Sequence, residues 1–175
     1  MNLALILPSM EHENIVWSYR NAFIIKNESI DGGAGLQEAR SFYEWLMKNE
    51  RNRAEVTVEQ NFVPATTYLV FDMDCNKKLI GTIDIRHRLN DYLFKFGGNI
   101  GYSVNFEFRN NGYGKAMLKT ALLKCKKYDM KRALITCYDD NIASQKIIEY
   151  NGGVLENIVE HAGKRTRRYW IELSN

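Results

Sequence analysis

Cysteine is scarce in this chain and is not arranged in pairs. Cys75, Cys125 and Cys137 are odd in number and share no ligand-like spacing. That excludes a disulfide framework and a zinc ribbon, and points to reduced thiols. No metal is expected. Long apolar runs are also missing, so nothing reaches the ~20 residues of a membrane span. Residues 3–7 are apolar, but no basic residue precedes them, and Pro8 and Glu11 cut them short. They do not form a secretory signal. These absences set the expectation of a cytoplasmic protein with no membrane partner. Charge of one sign is in short supply too. A net charge of +3 does not call for nucleic acid, though it suits a polyanionic ligand. Repeats, linkers and low-complexity segments are absent.

What is present is an ordinary globular composition. A chain of 175 residues, 45% hydrophobic and 26% charged, can bury a sizeable core as one domain spanning residues 1–175. Residues 3–7 read as a strand. Ser9 is a candidate helix cap, with His12 where a capping box wants Glu or Gln. Ile15, Val16, Tyr19, Ala22 and Phe23 form a helical stripe. Residues 31–35 are a glycine-rich loop, and residues 36–49 read as a second helix with Leu36, Ala39, Phe42, Tyr43 and Leu46 on one side. Residues 67–71 and 79–87 read as a hairpin around Asp74-Cys75-Asn76-Lys77. The long connection 88–98 follows; ordered loops of that length tend to carry function. Residues 100–104 and 132–137 read as strands on either side of a helix over 112–128. A short helix capped near Asn141 and a last hairpin, 154–159 with 166–173, complete the chain. Helices come before strands, and a strand–helix–strand unit follows. The class is α+β, with a mixed, mostly antiparallel central sheet flanked by helices.

The stretch Arg109-Asn110-Asn111-Gly112-Tyr113-Gly114-Lys115-Ala116 joins an apolar strand directly to a helix whose apolar face is Leu118, Ala121, Leu122 and Cys125. The first N–H groups of a helix lack intrahelical partners and lie at the positive end of its dipole. Gly112 and Gly114 leave the backbone open, and Arg109 and Lys115 add charge. Such a place suits a phosphate or pyrophosphate. A Walker A loop is excluded, because Arg109 and Ala116 stand where it needs Gly and Ser or Thr. The dinucleotide fingerprint fails at Met117.

The remaining pattern, Arg-x-x-Gly-x-Gly-x-Ala, resembles the acyl-CoA pyrophosphate loop of the GNAT superfamily of N-acetyltransferases. Asn141 through Gly153 resembles that superfamily's second motif, and the two stand in the expected order with one strand between them. The resemblance implies a GNAT (acyl-CoA N-acyltransferase) fold with acetyl-CoA as cosubstrate. It implies that Tyr102, Ser103 and Val104 offer backbone contacts to the acetyl and pantetheine groups. Arg109, Asn110, Asn111, Gly112, Tyr113, Gly114 and Lys115 would hold the pyrophosphate. Asn141 would reach the pantetheine, with Ser144 one turn on. The Asn-x-x-Ser form and Ile100-Gly101-Tyr102 lean toward the branch that includes ribosomal-protein alanine N-acetyltransferases.

Acetyl transfer needs a neutral amine, and a free lysine at pH 7 is neutral in under about one molecule in a thousand. A base must take the proton, and a strand N–H can stabilise the oxyanion. Two residues that the family uses are replaced here. The usual acid, a Tyr seven residues after the motif Asn, is Ile148, and Tyr150 lies about 200° round the helix from it. The Glu that can precede Ile-Gly-Tyr is Asn99. His87 is the expected base, with Asp84 and Glu107 weaker, and Tyr102 is a candidate proton donor. Phe42, Trp45, Tyr92 and Phe94 are candidates to wall the acceptor pocket. The run 164–168 is expected at the solvated end of a hairpin. The acceptor is expected to be a small-molecule amine or a protein N-terminus, and the protein a monomer or homodimer. The alternatives are an acyl-CoA sensing domain without catalysis, and a basic RNA-associated protein.

Overall fold

The computed structural model describes residues 1–173. Its elements are β1 (Leu3–Ile6), α1 (Glu13–Ile25), α2 (Phe42–Asn52), β2 (Ala65–Asp72), β3 (Lys78–Arg86), β4 (Ile100–Val104), α3 (Tyr113–Cys125), β5 (Arg132–Tyr138), α4 (Ile142–Tyr150), β6 (Val154–His161) and β7 (Lys164–Glu172). Short turns of helix precede α1 and follow α3. Before α1, the Ser9 N–H donates to His12 Nδ1 at 3.0 Å. The imidazole thus supplies the bond that a Glu or Gln would make in a capping box.

The second helix begins at Phe42 rather than 36. Gly35 adopts φ +81°, and the Ser41 side chain accepts from the Glu44 N–H at 3.1 Å, which fixes the start. Leu36 still packs with no exposed surface, so its helical spacing was coincidental. Arg20 of α1 makes this turn affordable. Its guanidinium donates to the carbonyls of Leu36 and Gln37 at 2.9 and 2.8 Å. A long-range side chain therefore replaces the bonds that a helix would have made.

The sheet is in two parts. β1-β2-β3-β4 forms one ladder and β5-β7-β6 another, and every strand pair in them is antiparallel among the described residues. β4 and β5, the ends of the strand–helix–strand unit, share no ladder. One face of the sheet carries Ile83, Ile85 and Ile100 against Met117, Leu118, Ala121 and Leu122 of α3. The other carries Leu69 and Phe71 against Val16 and Phe23 of α1 and Phe42 and Trp45 of α2. This two-sided burial explains the near-continuous apolar strands, since a strand covered on both faces need not alternate.

The two halves are joined at Asn99, just before β4. It is 5% exposed. Its N–H donates to the Leu134 carbonyl at 2.6 Å, and its Oδ1 accepts from the Leu134 N–H at 2.9 Å. It also bonds Arg86 of β3 twice. Its carbonyl accepts from the Arg86 N–H at 2.8 Å, and its Nδ2 donates to the Arg86 carbonyl at 3.2 Å. One side chain thereby extends the pairing of β3 onto β5 without lacing β4 to β5. Asn99→Ala would leave two buried backbone groups of Leu134 and Arg86 short of a partner. It should cost about 2–3 kcal/mol, read as a lower urea midpoint with an unchanged slope.

Candidate functional site

β4 ends at Val104, and a turn that includes Phe106–Phe108 leads to the glycine-bearing loop. Asn110 and Gly112 lie in the left-handed region, at φ +62° and +81°. A Cβ on Gly112 would meet nothing within 4 Å, so this glycine is there for its backbone angle and for open space. No side chain caps α3. Its first bond runs from the Ala116 N–H to the Gly112 carbonyl at 3.2 Å. The amides of Tyr113, Gly114 and Lys115 precede that bond and have no intrahelical acceptor.

The side chains of this loop do other work. Gly114 is buried, and a Cβ on it would lie 2.5 Å from Ile147 Cδ1. Its smallness lets α3 and α4 pack closely, so the expectation that it opens space for a ligand is corrected. The Tyr113 hydroxyl donates to Asp72 at 2.7 Å, a bond that raises the phenol to about 12. Only its backbone can face a ligand. Asn111 donates to the Arg109 carbonyl at 3.0 Å and shapes the turn. Arg109 lies over the Phe106 ring at 4.0 Å. Its Nε donates to the Val104 carbonyl at 3.1 Å, and its terminal nitrogen pairs with Glu28 at 2.8 Å. The Lys115 ammonium lies 4.2 Å from the Tyr150 ring centre.

Across the gap, Asn141 caps α4, its side chain accepting from the Ser144 N–H at 3.0 Å. The Ser144 hydroxyl is 2.9 Å from the Tyr102 hydroxyl. This bond spans from β4 to α4 on the α3 side of the sheet. Burial keeps the Tyr102 phenol well above its ordinary value, so it holds its proton. Ser103 points the other way. Its hydroxyl is 2.7 Å from Tyr19 and 3.1 Å from Thr82, and burial pushes the Tyr19 phenol up to about 12. Ile148 is fully buried in the core.

His87 is not brought to this place. It lies four residues along β3 from Ile83, the partner of Tyr102, or about 13 Å at a strand's rise. Its ring stacks flat on Tyr128 at 3.9 Å, and its Nε2 is 2.8 Å from the Thr66 hydroxyl. Shared parity with Ile83 and Ile85 puts it on the α3 side, where those two contacts hold the ring. Asp84 is also committed, accepting from Thr67 at 2.9 Å and pairing with Arg86 at 3.3 Å. Phe42 and Trp45 are 1% exposed core residues rather than pocket walls. In the run 164–168, Arg167 pairs with Asp139 at 2.6 Å, and Arg168 is buried, donating to the Phe94 carbonyl at 2.8 Å. Lys164 and Arg165 do form the exposed end of the hairpin, while Arg167 and Arg168 act as a clamp.

The exposed Asp31, a carboxylate that sequence inspection passed over, is brought to β4 by its chain neighbour. Asp31 precedes Gly32, whose backbone lies directly on β4. A Cβ on Gly32 would fall 2.2 Å from the Gly101 carbonyl oxygen. Crowding by protein holds the Asp31 carboxyl above the usual carboxylate range, offset by the Ser29 hydroxyl and the Arg86 charge. The Asp31 charge in turn reaches the Tyr102 phenol.

An open helix start is what the sequence motifs anticipated, and here it stands at the end of a strand pair left unlaced. The family model for the acetyltransferase (GNAT) domain matches residues 27–154. The chain belongs to the GNAT acetyltransferase family. Solved GNAT structures agree in fold. One is the Salmonella typhimurium acetyl transferase that modifies the N-terminal serine of a 50S ribosomal subunit protein. It is 18% identical, covers 99% of this chain and 96% of its own, and has a TM-score of 0.68. A Vibrio cholerae spermidine/spermine N-acetyltransferase is 16% identical over 98% of this chain and 94% of its own, with a TM-score of 0.65. The microcin C7 self-immunity acetyltransferase, in complex with acetyl-CoA and AMP, is 16% identical over 98% and 92%, with a TM-score of 0.66. Comparison with curated proteins gives no match. The GNAT chain is thus an acetyltransferase whose acceptor its likenesses do not name. Among its described residues, no helix is long and apolar enough to cross a membrane.

Burial lowers the His87 pKa below its ordinary 6.5, against the opposing charges of Asp84 and Glu55. The unfolded chain therefore takes up a proton before the folded one does. Stability from neutral His87 is complete above its unfolded pKa and is lost as pH falls through the folded one. His87→Gln should flatten that acid limb in urea unfolding from about pH 7 to pH 5 and leave the acetylation rate unchanged.

Proposed function

We propose that this GNAT enzyme moves an acetyl group from acetyl-CoA directly to the primary amine of an acceptor, a small molecule or a protein N-terminus, in a ternary complex. The observation that carries this reading is the uncapped mouth of α3, placed where β4 and β5 part. The amides of Tyr113, Gly114 and Lys115 hold the pyrophosphate, with the backbone around Asn110, Asn111 and Gly112 shaping the cradle. Lys115 adds charge beside it. Arg109 joins once the diphosphate displaces Glu28, an exposed pair worth under about 1 kcal/mol. The pantetheine runs along β4 at Ser103 and Val104 toward Asn141 and Ser144. A strand N–H near Tyr102 faces the thioester oxygen.

Asp31 replaces His87 as the base. The acceptor reacts as the neutral amine, its first proton already lost to solvent; as the nitrogen bonds to the carbonyl carbon, its second proton passes to this carboxylate, directly or through one water. The tetrahedral oxyanion collapses, the carbon–sulfur bond breaks, and the Tyr102 phenol gives its proton to the departing thiolate. Tyr102 supports this role because it is protonated, buried and set against α4. From β4 it reaches the helix from which the family's usual tyrosine is missing.

Asp31→Asn should lower kcat by about 10²-fold or more with acetyl-CoA affinity intact. It should also abolish the rise in rate as pH climbs through the Asp31 pKa, above the ordinary 3.8. An unaltered profile would reject the base. Glu28→Gln, which frees Arg109, should tighten acetyl-CoA binding about threefold in calorimetry. If acetyl-CoA binds but no amine releases CoA, the protein is an acyl-CoA sensor instead.

A further inference from the structure

A cleft of about 240 Å³ is lined by Tyr92, Phe96, Tyr138, Ala162, Lys164 and Thr166. We propose that it seats the acceptor, and that this acceptor is an amine carrying one planar ring and one anionic group. The inference rests on the acetyl-transfer reading above and specifies its second substrate.

Position comes first. Cys137 of β5 turns its thiol toward the Ser144 hydroxyl on α4. Tyr138 is the next residue, and successive strand residues face opposite sides. Its ring therefore lies on the sheet face away from α4, beside the gap in which the thioester is placed. Asp31 approaches that gap from β4. An amine whose body lies over Tyr138 enters between the two.

Chemistry comes second. Three of the six lining residues are aromatic, with Tyr92 tilted against Phe96 at 5.6 Å and Tyr138 48% exposed. Lys164 places its ammonium 4.8 Å from the Tyr138 ring centre. None of the six is acidic. The adjacent carboxylate, Asp139, is already held by Arg165 at 3.3 Å and Arg167 at 2.6 Å. A polycation would meet an ammonium and no acidic side chain among these lining residues, whereas a ring with a negative substituent meets rings and a cation. The volume suits one ring with short substituents, given that a cavity of about 150 Å³ accepts benzene.

Rigidity comes third. The cleft's wall is part of the 88–98 segment, and it is pinned from three sides. Arg168 donates to the Phe94 carbonyl, Thr136 to the Phe96 carbonyl at 3.0 Å, and Arg86 to the Gly97 carbonyl at 3.0 Å. A wall held this way loses little freedom when a ligand arrives.

The test uses four amines on the CoA-loaded full chain, with binding read by calorimetry and CoA release read with acetyl-CoA. Tyrosine carries ring and carboxylate, tyramine the ring alone, alanine the carboxylate alone, and spermidine neither. Tyrosine should bind tightest, about fivefold over tyramine and at least about tenfold over alanine and spermidine. Lys164→Met should reduce tyrosine to the level of tyramine without moving tyramine. Tyr138→Ala should weaken both, and Tyr138→Phe should restore them. Spermidine or alanine binding tightest, no binding of tyrosine, or a ranking indifferent to Lys164 and Tyr138 would overturn the inference. Failure of acetyl-CoA itself to bind would instead overturn the acetyl-transfer reading, so the two failures are told apart.

Discussion

The architecture depends on how Asn99 is bonded. A sheet that must stay open along part of one seam has to be fastened elsewhere, because unlaced strands expose backbone groups that want partners. Asn99 does this with four hydrogen bonds divided between Arg86 on one half and Leu134 on the other. An amide side chain suits the task, since it offers both a donor and an acceptor at one position. A glutamate there would lack the donor to the Arg86 carbonyl. The residue that looked like a lost base is thus the one that permits the gap.

The polar interior follows from that division. On the α1–α2 face, Tyr19, Ser103 and Thr82 share hydroxyl bonds, and Asn49, Thr67, Asp84 and Arg86 form a second chain. These groups tie α1 and α2 to β2, β3 and β4 and satisfy one another. Buried networks of this kind hold a backbone in one arrangement, which a transfer site needs more than it needs extra stability. The α3 face is mostly apolar, and hydroxyls on it reach across to α4, Tyr102 to Ser144 and Tyr169 to Glu149.

Much of this was legible in the order of residues. The glycine loop, the helix behind it and the Asn141 cap lie within one short window, where local rules govern. Leu118, Ala121, Leu122 and Cys125 all fall on the buried face that their spacing predicts. Contacts between distant residues were not legible. The start of α2 was misplaced because Arg20, sixteen or more positions away, stabilises turns that mimic a helical period. His87 read as a candidate base at a strand end, and its packing on Tyr128, forty-one positions on, was out of reach of local rules. Asp31 was hidden in a glycine run, and only the contact of Gly32 with Gly101 brings it to β4. Arg168 read as part of a basic run until its burial was seen.

The ion pair between Arg109 and Glu28 has one further consequence. Glu28 and Asp31 belong to the same short connection leaving α1, three positions apart. In the proposed ternary complex an incoming diphosphate competes with this native carboxylate for one guanidinium, so occupancy of the nucleotide end would release a tether at the amine end. Thermodynamic reciprocity then requires the two substrates to sense each other: whatever loading the first does to the poise of that connection, loading the second must do to the grip on the first.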